Sequence, residues 1–239
     1  MGLRALFLLG FLFLFPTPGF SMHIMEGFLP VGWSAVWALV AAPMVFFGAL
    51  SIKRTIQHSP KVKILLGLAG AYVFVLSALK IPSVTGSSSH PAGVGLGAIL
   101  FGVGPMVVLG LIVLLFQALL LAHGGLTTLG ANAFSLAVTG PLVSWALFRA
   151  LKQAKVPFGV CVFCGAFAGS IATYLVTAMQ LALAFPAQVG GVWVSMIKFS
   201  SVFAVTQVPL AATEGFLTVV VVNLLKKYSR KELETLKVV

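Results

Sequence analysis

The sequence predicts an all-α integral membrane protein, a polytopic bundle of about seven transmembrane helices in the mature chain, with its N-terminus outside and its C-terminus in the cytoplasm. Three observations carry that reading. The 239 residues are 60% hydrophobic and only 8% charged, with a mean hydropathy of +1.12; an ordinary soluble domain is about a quarter charged. Apolar stretches of roughly 18 residues or more recur, each long enough to cross a hydrocarbon core about 30 Å thick as a helix. They are continuous rather than alternating, which favours helices over a barrel. The basic residues collect between them, as they do in cytoplasmic loops.

Taken in order, residues 1–21 form a leader expected to be cleaved. Arg4 supplies its positive charge, Ala5 to Phe15 its apolar core, and Pro16 and Pro18 its breakers. Gly19 and Ser21 put small residues ahead of a cut between Ser21 and Met22. The transmembrane part is expected over 22–226, with helices at 33–52, 64–80, 105–122, 131–149, 157–184 and 196–225. A basic cytoplasmic tail covers 227–239.

The loop with Lys53, Arg54, Lys61 and Lys63, the segment with Arg149, Lys152 and Lys155, and the tail with Lys226, Lys227, Arg230, Lys231 and Lys237 are all expected inside. Parity then demands one more crossing between Ser83–His90 and Arg149, and "GVGLGAILFGVG" at 93–104 supplies it. That stretch covers only about 18 Å as a helix, so it must be short, broken or sheltered. Six spans plus a re-entrant segment is the alternative.

The formal charge of +11 reflects 15 basic residues against four acids. Spread over loops, it indicates membrane orientation rather than nucleic acid. Cys161 and Cys164 form one CxxC without a second pair or a flanking His, and read as packing residues. Lys198 and Glu214 are the ionisable groups inside apolar runs. Lys198 is expected to snorkel, and Glu214 to bond a partner helix.

The chemistry concentrates in "PTPGFSMHIMEGFLP". Cleavage before Met22 offers three nitrogens in a row: the Met22 α-amine, the His23 amide and His23 Nδ1. A metal on the first two closes a five-membered ring, and one on the last two closes a six-membered ring. The α-amine, with a reference pKa near ~8, gives up its proton more readily than a lysine. His90, in "TGSSSHPAGVGLG", is the natural fourth donor, because Pro91 biases it toward an extended conformation on the same side. Planar nitrogen coordination points to nickel or copper, or to cobalt where the protein enforces the plane. Glu26 and Ser89 are expected to support these ligands from outside the first shell; Glu26 equally suits a helix N-terminus. His58 is expected to be solvated, and His123 to be a helix-end hydrogen bonder on the cytoplasmic side, away from the site.

The stretches "MHIMEGFLP", "TGSSSHPAGVGLGAILFGVGP", "FQALLLAHGGLTTLGANAFSLAVTGP" and "QVPLAATEGF" closely resemble the motifs of the CbiM/NikM substrate-capture subunits of energy-coupling-factor cobalt and nickel transporters. The resemblance covers 22–226. It implies a six-helix capture core with one added N-terminal span, and a metal site at Met22, His23 and His90. Many relatives begin directly at Met-His, so here the free amine must come from processing. "FGVGP" departs from the relatives' frequent "FGP" and blurs the helix boundary there.

The resemblance further implies capture of Co(2+), or of Ni(2+), from outside, with cobalt destined for cobalamin biosynthesis and no bound cofactor. The implied partners are a transmembrane coupling subunit, two ATP-binding subunits, a small accessory membrane subunit and membrane lipid. The chain has no G-x-x-x-x-G-K-[ST] loop, so ATP hydrolysis by that route must come from partners. Two other classes compete: an intramembrane enzyme using His123 with Glu214 or the cysteine pair, and a non-metal carrier using Lys198 and Glu214. No H-E-x-x-H helix or nucleophile–base pair supports an enzyme.

Overall fold

A computed structural model describes residues 23–58, 60, 62–79, 81–82 and 88–238. The leader and Met22 lie outside the described residues. The chain forms an all-α bundle, as the apolar runs predict: α1 (Val31–His58), α2 (Val62–Ala78), α3 (Val94–Phe101), α4 (Val103–Leu120), α5 (Leu129–Asn132), a π-helical stretch (Ala133–Thr139), α6 (Gly140–Gln153), α7 (Phe158–Ala184), α8 (Gly191–Tyr228) and α9 (Arg230–Thr235). Two short strands, β1 (Ile81–Pro82) and β2 (Ser88–Ser89), pair antiparallel with Ile81 opposite Ser89.

Among the described residues, five helical stretches are long and apolar enough to cross a membrane: α1, α4, the continuous rod 129–153, α7 and α8. Their outer faces carry large exposed apolar side chains such as Leu39, Phe46, Phe47, Trp193 and Phe216. A membrane span presents such a face to lipid, which is as apolar as leucine. α2 is apolar but only 17 residues long.

α3 is the short, sheltered segment expected near 93–104. Its eight residues cover about 12 Å, under half a hydrocarbon core, and Val94 through Leu100 are all buried. Gly102, at φ 80°, separates it from α4, a conformation that L side chains resist. The break therefore falls at the first glycine of "FGVGP", ahead of the predicted boundary.

This break settles where α4 leads. α3 carries the chain away from His90, and α4 brings it back to the same end of the bundle, beside His90. The expectation that His123 lies away from the site is thus corrected. The parity count, carried one helix further through 105–122, already returns the chain to the His90 end.

At the opposite end, Arg54, Arg149, Lys152 and Lys237 line one cavity of about 380 Å³. Three separate basic segments expected on one side therefore meet there. The tail folds back: Leu233 and Val238 are buried against Phe148, Cys161 and Val222, and Lys152 Nζ donates to the Val238 carbonyl at 2.7 Å. Cys161 packs in that core as expected, and Lys198 has an exposed side chain on α8.

Candidate metal centre

Three segments distant in sequence meet at the His23 end. The first is the N-terminal stretch before α1, with His23. The second is the link from β2 to α3, with His90. The third is the reversal between α4 and α5, with His123. The imidazoles are buried, at 0%, 0% and 3% exposure, and one ligand nitrogen from each lies within 4.8 Å of the others. Ring centroids stand 5.1, 4.9 and 4.8 Å apart with interplanar angles of 63–64°, so the rings surround a common point nearly symmetrically.

Each histidine is positioned by local structure. Ala122, in the left-handed region at φ 46°, ends the helical run after α4. The His123 N–H then donates to the Gln117 carbonyl at 3.1 Å. The N-terminal stretch has no regular structure of its own and is stapled to the reversal. Asn132 takes the Ile24 N–H at 2.9 Å on Oδ1 and gives Nδ2–H to the Ile24 carbonyl at 3.0 Å. Thr128 Oγ1 donates to the same carbonyl at 2.7 Å, and the Glu26 N–H donates to Gly124 at 3.2 Å. A Cβ on Gly125 would stand 2.5 Å from Glu26 Cα, so only glycine lets the two backbones meet.

His90 is oriented by its neighbour. Nδ1 donates its hydrogen to the Pro91 carbonyl at 2.8 Å, which leaves the Nε2 lone pair pointing inward, the usual way a second partner fixes a ligating imidazole. Nε2 of His90 lies 3.0 Å from Nε2 of His123. At metal–nitrogen bonds of about 2.0–2.1 Å, ligands at a right angle stand roughly 2.8–3.0 Å apart and tetrahedral ones roughly 3.3–3.4 Å. The observed spacing is that of a hydrogen bond between the two imidazoles, and it is also close to what two nitrogens on one ion would show.

Of the residues expected from sequence, His23 and His90 come together as anticipated. Met22 precedes the described residues. Glu26 is exposed and turns its carboxylate to the Thr127 N–H, at 3.1 Å and 3.4 Å to its two oxygens, not to the imidazoles. Hydrogen bonds from the Thr127 hydroxyl and then the Thr127 backbone hold its carboxyl below the usual carboxylate range. Ser89 Oγ hydrogen-bonds Thr206 Oγ1 at 3.0 Å and so ties the His90 segment to α8. His123, Asn132 and Thr128 went unread as site residues, although all three sit within the quoted "AHGGLTTLGAN".

Buried histidines that could hold a metal ion, set in a bundle of apolar helices, define a multi-pass membrane protein with a candidate metal site. The family described as "Cobalt uptake substrate-specific transmembrane region" matches residues 23–232, and the chain belongs to this CbiM family. It is 59% identical over 221 residues to the "Cobalt transport protein CbiM" of Moorella thermoacetica, covering 92% of this chain and 85% of the relative. It is 60% identical over 221 residues to the protein of the same name from Desulforamulus reducens, covering 92% and 87%. Among solved structures, a truncated transition metal transporter superposes with a TM-score of 0.73 at 26% identity, covering 86% of this chain and 99% of that one. A second transition metal transporter gives 0.75 at 25% identity, covering 86% and 92%. These relatives are transport proteins, and the chain is a member of a transporter family rather than an enzyme.

Proposed function

We propose that this chain is the substrate-capture subunit of an energy-coupling-factor cobalt importer that supplies cobalt for cobalamin biosynthesis. The observation that carries this is the buried triad of His23, His90 and His123. Relatives named for cobalt transport favour cobalt over nickel as the cargo.

The leader, residues 1–21, is removed to give a capture domain over 22–226 and a basic tail over 227–239 on the cytoplasmic side. The metal then takes the Met22 amine, the His23 amide, His23 Nδ1 and His90 Nε2 as a plane. His123 Nε2, 3.0 Å from His90 Nε2, supplies a fifth, axial donor. Without the ion the two Nε2 atoms hydrogen-bond one another; ligands must shed their protons to bind, so capture releases protons. The gathering of Arg54, Arg149 and Lys152 at the far end supports a site that faces outward.

The coupling subunit, two ATP-binding subunits and a small accessory membrane subunit supply the energy and the inward release. A titration of purified, N-terminally sequenced protein with Co(2+) and Ni(2+) in competition tests the reading. One ion per chain with cobalt preferred is expected; absence of tight binding by either metal would overturn it.

A further inference from the structure

The cavity of about 380 Å³ at the end away from the histidines takes no part in the metal chemistry. Arg54 of α1, Arg149 and Lys152 of α6, and Lys237 of the tail line it, and no Asp or Glu is among the described residues that do. Beside these cations the lining is apolar, with Val62 of α2, Ile99 and Leu100 of α3, and Phe148 of α6.

Three of the cations are set in place by the fold. The Arg149 guanidinium stands over Trp145, 5.5 Å from the ring centroid, in a cation–π contact. Lys152 Nζ donates to the Val238 carbonyl at 2.7 Å. Lys237 has a left-handed backbone at φ 58°, and the next residue, Val238, is buried in the core, so the reversal of the tail carries Lys237 to the cavity. Glu234, close by along the tail, is already paired with Arg230 at 2.9 Å. Like charges brought together repel unless an anion joins them.

A second cavity, of about 220 Å³ and wholly apolar apart from the Tyr72 hydroxyl, adjoins the first and shares Leu100 with it. It is a groove between α2 and α8: Leu65, Leu68, Ala69 and Tyr72 line one side, Val221 and Leu225 the other. One face of α2 joins the two cavities, because Val62 lines the basic one while Leu65, Ala69 and Tyr72 follow at helical spacing along the groove. From Val62 to Tyr72 the helix rises about 15 Å, the depth of one leaflet of a hydrocarbon core about 30 Å thick. Leu68 is 56% exposed, so the groove opens on the lipid-facing surface. At the end away from the cations, Tyr72 Oη and Thr218 Oγ1 lie 3.5 Å apart and join its two walls.

A basic cavity that continues into an apolar groove one leaflet deep matches an amphiphile with an anionic head. Basic pockets between membrane helices take the head groups of anionic lipids. A solvated patch that only orients the chain accounts for the charges but not for the groove. A free anion would leave the groove unused, and a partner helix about 10 Å across does not fit between walls joined at Tyr72 and Thr218.

We propose that this is a binding site for one anionic phospholipid: its phosphate sits among Arg149, Lys152 and Lys237, and one acyl chain lies in the groove between α2 and α8. The site is independent of the histidines, so metal capture and lipid binding succeed or fail separately.

The test is native mass spectrometry of the purified full chain in detergent with added phosphatidylglycerol, phosphatidylcholine or inorganic phosphate. Wild type is compared with the double variant Arg149→Gln/Lys237→Gln and with Leu68→Trp, which crowds the groove from its exposed side; Co(2+) titration of each checks folding. One retained phosphatidylglycerol per chain is expected, in preference to phosphatidylcholine. The double variant is expected to hold it about thirtyfold more weakly, from roughly fivefold for each basic residue near an anionic surface. Leu68→Trp is expected to weaken retention with cobalt affinity unchanged. If the double variant does not fold, Leu68→Trp and the comparison of the two lipids decide. Equal retention of both lipids, or wild-type retention in either folded variant, overturns the proposal. Inorganic phosphate that displaces the lipid marks a free-anion site and overturns it too, and retention of no lipid leaves the surface to an acidic protein segment instead.

Discussion

His90 Nε2 and His123 Nε2, 33 residues apart in sequence, lie 3.0 Å from one another inside the bundle. With His90 Nδ1–H committed to Pro91, the His90 atom is an acceptor only. It therefore accepts a hydrogen bond from His123 or shares a metal with it. Replacing His123 by Ala is expected to weaken cobalt binding by at least about tenfold, the lower end of what even an outer partner is worth, and to move the visible bands toward a four-coordinate spectrum. A His123→Ala protein with unaltered bands would show that His123 only lines the site.

The amine ligand is testable without touching a side chain. One extra residue ahead of Met22 after processing is expected to abolish tight binding, because the donor becomes an amide and the five-membered ring is lost. Isothermal titration of the extended and native chains compares them directly, and equal affinity would contradict amine ligation.

Asn132 holds the residue next to His23 by two hydrogen bonds. Asn132→Ala leaves the buried Ile24 N–H without that acceptor, while Thr128 still serves the carbonyl. The expected loss is about 1–3 kcal/mol of stability in thermal or denaturant unfolding, with weakened metal binding as His23 loosens.

Much of this was legible in the sequence, for reasons that differ by element. α1, α4, α7 and α8 announce themselves by apolar length alone, and the His23–His90 pairing follows from chelate chemistry plus topology. His123 was not read as a donor because a lone histidine between "LLLA" and "GGL" looks like a helix end, although the crossing at 93–104 and the return through 105–122 already place it at the His90 end. The Asn132 clamp was hidden for another reason. It bonds backbone atoms 108 residues away, and backbone groups leave no mark in a sequence. Met22 lies outside the described residues, so the amine ligand is a deduction from chelate chemistry.

Gly125 marks where the N-terminal stretch and the reversal touch. Gly125→Ala places a methyl 2.5 Å from Glu26 Cα, and backbone cannot yield as a side-chain tip can. A destabilisation of roughly 1–3 kcal/mol is expected by thermal unfolding, with reduced cobalt affinity; a neutral result would show that the two segments separate readily.

Glu26 separates stability from coordination. Its carboxyl is held below the usual range by Thr127, so its contribution is present above the ordinary carboxylate pKa and is lost as pH falls through the lower folded value. Glu26→Gln should flatten the pH dependence of unfolding in that acid window while leaving the cobalt spectrum unchanged. A changed spectrum would bring Glu26 back to the metal.

The central claim, that the metal is held by the processed N-terminus and the histidines, is tested most directly by cobalt X-ray absorption on the N-terminally sequenced protein. The expected result is a first shell of nitrogen alone near ~2 Å, with outer scattering from three imidazoles that falls to two in His123→Ala. A shell dominated by oxygen or sulfur, or one without imidazole scattering, would contradict it.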